Sequence, residues 1–197
     1  MSDISWLKHK QIQDYPWWVR LLLRGQMKKY GTPLFPTLYW GRSPMALLLF
    51  TLFFKFFERR KSPLEPALRS LIMVRISQVN WCSFCVDMNS LFLLERAQAI
   101  HKLEDLHSWP TSTHFSEKEK AALAYAEAVT RPDQSVPIDI RENLKQYFSE
   151  DEIVELTALI GYQNLSSKFN YALSIPAQGL CEMRTAPLPI TDEEPQG

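Results

Sequence analysis

Cysteine is scarce in this chain, three in 197 residues, which excludes the dense disulfide framework that small secreted domains use to compensate for a thin core. Glycine is scarce as well, at six, and no alternating apolar and polar stretch of useful length occurs. The chain therefore reads as all-α. Surplus charge is missing: Lys plus Arg and Asp plus Glu each total 22, which removes the electrostatic case for nucleic acid or for general attraction to anionic lipid. Residues 1–6 are polar and mixed, without the charged, apolar, small order of a secretory signal, so a cytoplasmic location is expected. Long apolar runs are absent too. The most apolar segment, 44–57 (P-M-A-L-L-L-F-T-L-F-F-K-F-F), is interrupted by Lys55 and followed by Arg59, Arg60 and Lys61, well short of the roughly 20 apolar residues that a bilayer core requires. A helix apolar on all sides is expected to be buried inside the protein or between subunits, and membrane contact is not expected. With no glycine-rich phosphate loop, dinucleotide fingerprint or haem attachment sequence, no cofactor is expected either.

What is present is a series of helical patterns punctuated by prolines. The length suits one domain with a sizeable core. A first helix is expected over 6–29 with a break at Pro16, closed by the breakers of 31–36. The phenylalanine-rich helix 44–57 follows, then Pro63 and Pro66 introduce a helix over 67–79, and another runs over 84–100. A loop containing Pro110 spans 107–115. Two capping boxes, Ser116 with Glu119 and Ser149 with Glu152, open helices over 117–130 and 150–172, and Pro132 and Pro137 frame a shorter one over 138–147. This divides the chain into an N-terminal helical extension (1–36), a main helical domain (37–183) and a proline-containing, acidic tail (184–197) expected to be mobile.

The pair Cys82 and Cys85, in the run W-C-S-F-C-V-D-M-N, carries the chemistry. Two thiols three residues apart form and break a disulfide reversibly, and the opening of a helix is where a thiol gains most acidity, from free backbone N–H groups and the macrodipole. Asn80 or Ser83 is expected to cap that helix. At about 100° per residue the two cysteines share a face, and Asn89, four residues after Cys85, is expected to touch the second sulfur. Asp87 points roughly 160° away from Cys85 and Glu95 lies well over a turn further on, so neither serves as a base. Glu65, Arg69 and Arg75 on the preceding helix are the remaining charged groups within conceivable reach. A zinc site combining the pair with Cys181 and one of His101, His107 or His114 lacks a second close-set ligand pair, so no metal is expected. Tyr162, Gln163, Asn164 and Asn170 place polar groups in an otherwise apolar helix, with Tyr162 and Asn164 as minor pocket candidates.

Over 68–90 the chain resembles the carboxymuconolactone decarboxylase and alkylhydroperoxidase D-like proteins, in which an apolar helix and an Asn precede a C-x-x-C that opens the next helix. F-S-E-K-E-K-A-A-L-A-Y-A-E-A-V-T (115–130) and F-S-E-D-E-I-V-E-L (148–156) extend the likeness to roughly 30–180. The resemblance implies an all-α, AhpD-like helical bundle in an intertwined homo-oligomer. It also implies a thiol-dependent hydroperoxide or disulfide oxidoreductase recycled by an external thiol reductant, with Cys85 as the attacking thiolate and Cys82 as its resolving partner. Peroxidase members of the family carry a His four residues after the second cysteine and a Glu twelve before the first. Here those positions are Asn89 and Ser70, and Phe84 stands where some members place a His between the cysteines. Asn89 donates a hydrogen bond but takes no proton, and a thiol of pKa about 8.5 is only slightly ionised at neutral pH, so reduced peroxidase efficiency is expected. The alternative is a non-catalytic or redox-sensing helical oligomer that keeps the fold. The lactone decarboxylase branch generally lacks this cysteine pair. The aromatic content favours an organic hydroperoxide over hydrogen peroxide.

Overall fold

The computed structural model describes residues 5–131 and 135–182, and every regular element among them is helical. The segment 184–197, expected to be a mobile tail, and Pro132 lie outside the described residues. The helices are α1 (Trp17–Tyr30), α2 (Phe35–Trp40), α3 (Pro44–Phe57), α4 (Pro66–Val79), α5 (Ser83–Ala97), α6 (Ile100–Asp105), α7 (Glu117–Thr130), α8 (Ile138–Lys145) and α9 (Glu150–Ala172).

Local chemistry sets most of these boundaries. Pro44 and Pro66 sit in the first turns of α3 and α4, where a missing N–H costs nothing. Both capping boxes form as the sequence predicts, Ser116 with Glu119 on α7 and Ser149 with Glu152 on α9. Elsewhere the structure departs from the expected pattern. The α-helix begins only at Trp17, because Pro16 is the N-cap of α1. A single 3-10 turn, Ile12–Asp14, precedes it, and the Trp6 indole donates to the Ala172 carbonyl at 3.0 Å. Helix α2 forms inside a stretch that its breakers mark as a terminator, because Pro36 falls in a first turn and is tolerated there. Helix α5 stops at Ala97 because Gln98 adopts the left-handed conformation, φ 49°, and the chain restarts as α6.

Helix α4 is the centre of the bundle. It packs against α5, α7 and α9, and all residues from Leu68 to Val74, with Ile76 and Ser77, are buried, which explains its lack of an amphipathic stripe. Two apolar clusters surround it. One joins the end of α3 with α4, α7, α8 and α9; the other joins α1, α2 and the start of α5 with residues 175–180, and contains both cysteines of the pair. Helix α3 buries only one face. Met45, Leu48, Leu49, Leu52, Phe53 and Phe56 recur at helical spacing on the other and are 40–65% exposed in the single chain. Among the described residues, no helix is long and apolar enough to cross a membrane.

A charged inset stands at the far end of α4 from the cysteines. Arg59 and Ser62 both donate to Glu155, Ser62 at 2.5 Å, and Arg96 pairs with Glu58 while donating to Ser70 Oγ at 2.8 Å. Buried Arg69 joins this group: burial pushes its pKa down, and Glu58 opposes that. Burial would raise the pKa of Glu155, but the hydrogen bonds from Arg59 and Ser62 outweigh it and hold the carboxyl below its ordinary value of 4.5. The stability this carboxylate contributes is therefore complete above the unfolded value and lost as pH falls through the lower folded one. Glu155→Gln is expected to cost about 1–3 kcal/mol near neutral pH in urea unfolding, with wild type and variant converging as pH falls through the lowered folded value.

Candidate active site

The connection between α4 and α5 is only residues 80–82, and its geometry is tight. Asn80 closes α4, Trp81 turns back with φ 55°, and the Cys82 N–H reaches the Ser77 carbonyl at 3.0 Å. A positive φ in a bulky residue costs on the order of 1 kcal/mol and persists only where surrounding contacts dictate it. Cys82 is then itself the N-cap of α5, with its sulfur accepting the Cys85 N–H at 3.2 Å. This corrects the expectation that Asn80 or Ser83 caps the helix. Asn80 instead donates to Asn164 Oδ1 at 2.9 Å, and Ser83 is the exposed first residue of α5. Cys82 and Cys85 are joined in a disulfide with Cα atoms 5.3 Å apart, at 1% and 3% exposure.

Cys85 lines a cavity of about 260 Å³. Its walls are rings from three directions: Trp40 stacks on Phe50 at 4.9 Å and Phe50 on Tyr162 at 4.9 Å, with Phe54, Phe84 and Phe92 completing them. Burial pushes the Tyr162 phenol far up, so it stays neutral. None of the described residues lining the cavity carries a charge. On α9 the polar residues Gln163, Ser166, Ser167 and Asn170 recur at i, i+3, i+4 and i+7, while Gln26, Thr37, Thr51 and Asn89 bring neutral polar groups to the cavity from other helices. Asn170 Nδ2 lies 3.2 Å from Cys85 Sγ and Ser166 Oγ 3.9 Å from it. Gln163 donates to Ser77 Oγ at 3.0 Å and to Ser167 Oγ at 2.9 Å. Asn170 Oδ1 is buried without a hydrogen-bond partner, as is the Nε1 of Trp40.

Asn89 lines the same cavity, but its amide donates to Ser77 Oγ at 3.2 Å; the amide that reaches the second sulfur belongs to Asn170. In the sequence Asn170 stands only among the polar groups of an otherwise apolar helix, and the i, i+3, i+4, i+7 polar spacing on α9 is the signal that marks it. Ser70 stands elsewhere. It bonds Arg96, eleven residues beyond Cys85 and so about 16 Å further along α5. The residue of α4 that meets position 89 is Ser77. The remaining charged candidates are also turned away: Arg75 pairs with Glu127 at 2.6 Å, Arg69 lies in the charged inset, and Glu65 is the N-cap position of α4. Tyr162 lines the cavity as expected, whereas Asn164 bonds Thr130 and Asn80. The His101 and His114 rings meet at a tilt with centroids 5.5 Å apart, and His114 contacts Asp105.

Asp87 points away from Cys85, as its helical position predicts, and has a different task. Its carboxylate accepts the backbone N–H groups of Gln178, Leu180 and Cys181 at 2.9, 3.0 and 2.7 Å, clamping the segment after α9 over the Cys82 side of the disulfide. Burial, with Asp87 and Glu182 nearby, pushes the Cys181 thiol up.

Residues 46–128 match the sequence profile of the carboxymuconolactone decarboxylase family. The uncharacterized protein YnjA of Escherichia coli K12 is 43% identical over 169 residues, which span 84% of this chain and 93% of that protein. The chain belongs to the carboxymuconolactone decarboxylase family, and its fold is the AhpD-like one. An uncharacterized peroxidase-related protein from Ralstonia eutropha JMP134, described as an alkylhydroperoxidase AhpD core, superposes with a TM-score of 0.83 at 17% identity, covering 95% of this chain and all of that one. A protein of unknown function from Agrobacterium tumefaciens, put forward as an antioxidant defence protein AhpD, gives a TM-score of 0.67 at 28% identity over 71% of this chain and 94% of its own.

Replacing Asp87 by Ala leaves three N–H groups without their acceptor. The variant is expected to lose at least about 2 kcal/mol, with hydrogen exchange accelerating first at Gln178, Leu180 and Cys181. Unchanged exchange at those amides would remove the clamp from this account.

Proposed function

We propose that the protein is a thiol-dependent oxidoreductase that reduces an uncharged organic hydroperoxide through the Cys82–Cys85 pair. The observation that carries this reading is a disulfide at a helix start whose second sulfur faces an aromatic cavity with no charged side chain among its described lining residues. In the dithiol form, the Cys85 thiolate attacks the peroxide, the O–O bond breaks, and the alkoxide leaves as an alcohol after taking a proton. Cys85 is now a sulfenic acid. Cys82, whose thiolate the Cys85 N–H favours, attacks that sulfur and releases the hydroxyl as water, which re-forms the disulfide. An external dithiol then returns the pair to the reduced state. Asn170 takes over part of what a charged relay does elsewhere, because its amide N–H stabilises the thiolate over the thiol without moving a proton. The apolar walls hold the organic portion of the substrate.

A non-catalytic, redox-sensing reading draws on one specific feature, the absence of any titratable base in the described lining. Turnover separates the two. Cys85→Ser is expected to abolish hydroperoxide reduction, and Cys82→Ser to allow a single turnover per chain. Asn170→Ala in the Cys82→Ser background should raise the pKa of Cys85 by about one unit, since a donor to the charged form is lost, and slow its oxidation about tenfold at neutral pH. The pH dependence of alkylation and stopped-flow oxidation measure both. Turnover that survives Cys85→Ser would end the peroxidase reading, and wild-type oxidation no faster than that of a free thiol would favour sensing.

The same reading takes the protein to act in the cytoplasm as a homo-oligomer that covers the open stripe of α3. A cycling dithiol suits a reducing compartment, and six large apolar side chains on one helix face gain by burial against a second copy.

A further inference from the structure

The disulfide stands between two unlike compartments. Cys85 faces the aromatic cavity, whereas Cys82 lines a separate open groove of about 810 Å³ walled by Trp81, Ser83, Gly179 and Cys181. Trp81 is 80% exposed and lines this groove from the left-handed position, φ 55°, that turns the chain between α4 and α5.

Thiol–disulfide exchange has a directional requirement. The attacking thiolate approaches a sulfur along the extension of the S–S bond, and the other sulfur leaves. A thiol that attacks Cys82 must therefore come from the side away from Cys85, and the groove is the opening that Cys82 lines. The leaving thiolate is then Cys85, where the Asn170 amide at 3.2 Å receives the developing charge.

We infer that this groove is the docking site for a protein dithiol that reduces the Cys82–Cys85 bond, with Trp81 as its aromatic anchor. The inference rests on the oxidoreductase reading and supplies its missing electron donor. The groove is open and wide, too shallow to surround a small molecule, and an exposed Trp offers contact area that a macromolecular surface uses fully. Because Cys82 is 1% exposed, the partner must reach it with a cysteine on a projecting segment. The partner thiolate bonds to Cys82 Sγ, the Sγ–Sγ bond breaks, and its electron pair leaves on Cys85. The partner's second thiol then attacks the partner's own sulfur in the mixed disulfide and frees Cys82. Two electrons and two protons pass from the partner dithiol to the pair, and the partner departs as a disulfide.

The test uses a short peptide bearing one cysteine activated as a pyridyl disulfide, with methyl pyridyl disulfide as the small reagent and release of the pyridine thione as the readout. In a Cys181→Ser background, Cys82 (with Cys85→Ser) is expected to exchange with the peptide at least about tenfold faster than Cys85 (with Cys82→Ser). Trp81→Ala should slow the peptide about tenfold while slowing the small reagent far less. Reduction of the intact wild-type disulfide by the free-thiol peptide, with and without Trp81→Ala, gives the same comparison with every cysteine in place. Equal rates at the two cysteines, faster exchange at Cys85, no exchange at either, or equal slowing of both reagents by Trp81→Ala overturns the inference. Because no hydroperoxide takes part, these outcomes leave peroxide reduction untouched; conversely, loss of peroxide turnover with exchange intact counts against that reading alone.

Discussion

The hydrogen bond from the Cys82 N–H to the Ser77 carbonyl closes the turn between α4 and α5, and most of what makes the site follows from that closure. With three connecting residues the two helices run antiparallel in a fixed register, Ser77 against Asn89 and Ser70 against Arg96. Only a left-handed residue lets the chain reverse so sharply, and Trp81 takes that conformation. Cys82 is thereby left in extended geometry at the N-cap, where its sulfur meets both the Cys85 N–H and the Cys85 sulfur. A longer connection would release the register and with it the identity of every side chain around the pair.

Around Cys85, the described residues that line the cavity are aromatic, aliphatic or neutral polar. Helix α9 supplies neutral donors from a single stripe, and α1 to α3 supply rings. Desolvation favours the neutral thiol, while the amide of Asn170 and the open end of α5 favour the thiolate. The charged inset of Arg59, Arg69, Arg96, Glu58 and Glu155 stands at the other end of α4. Buried Asp87, on the Cys82 side of the pair, is committed to three backbone N–H groups.

Most helices could be read from residue type and spacing. The capping boxes of α7 and α9 form as written, and α3 ends at the residues the pattern marks, because such signals act within one turn of chain. Elements whose limits depend on backbone conformation escaped: the stop at Gln98, the restart as α6 and the short α2 have no strong local marker. The expected partner of Cys85 illustrates the limit. Helical spacing correctly places Asn89 on the cavity face, yet a contact from another helix, Asn170, is 85 residues away in sequence and wins the bond.

The sequence by itself determined an all-α chain of this family with a dithiol opening a core helix, because hydrophobic period, capping residues and the C-x-x-C spacing are properties of neighbours along the chain. Tertiary structure alone decided which side chains surround each sulfur, that Cys85 faces an uncharged aromatic cavity and Cys82 an open groove, and that Asp87 clamps residues 178–181. Those outcomes depend on how helices distant in sequence pack, and packing is set by the shape and burial of the whole core rather than by any local pattern.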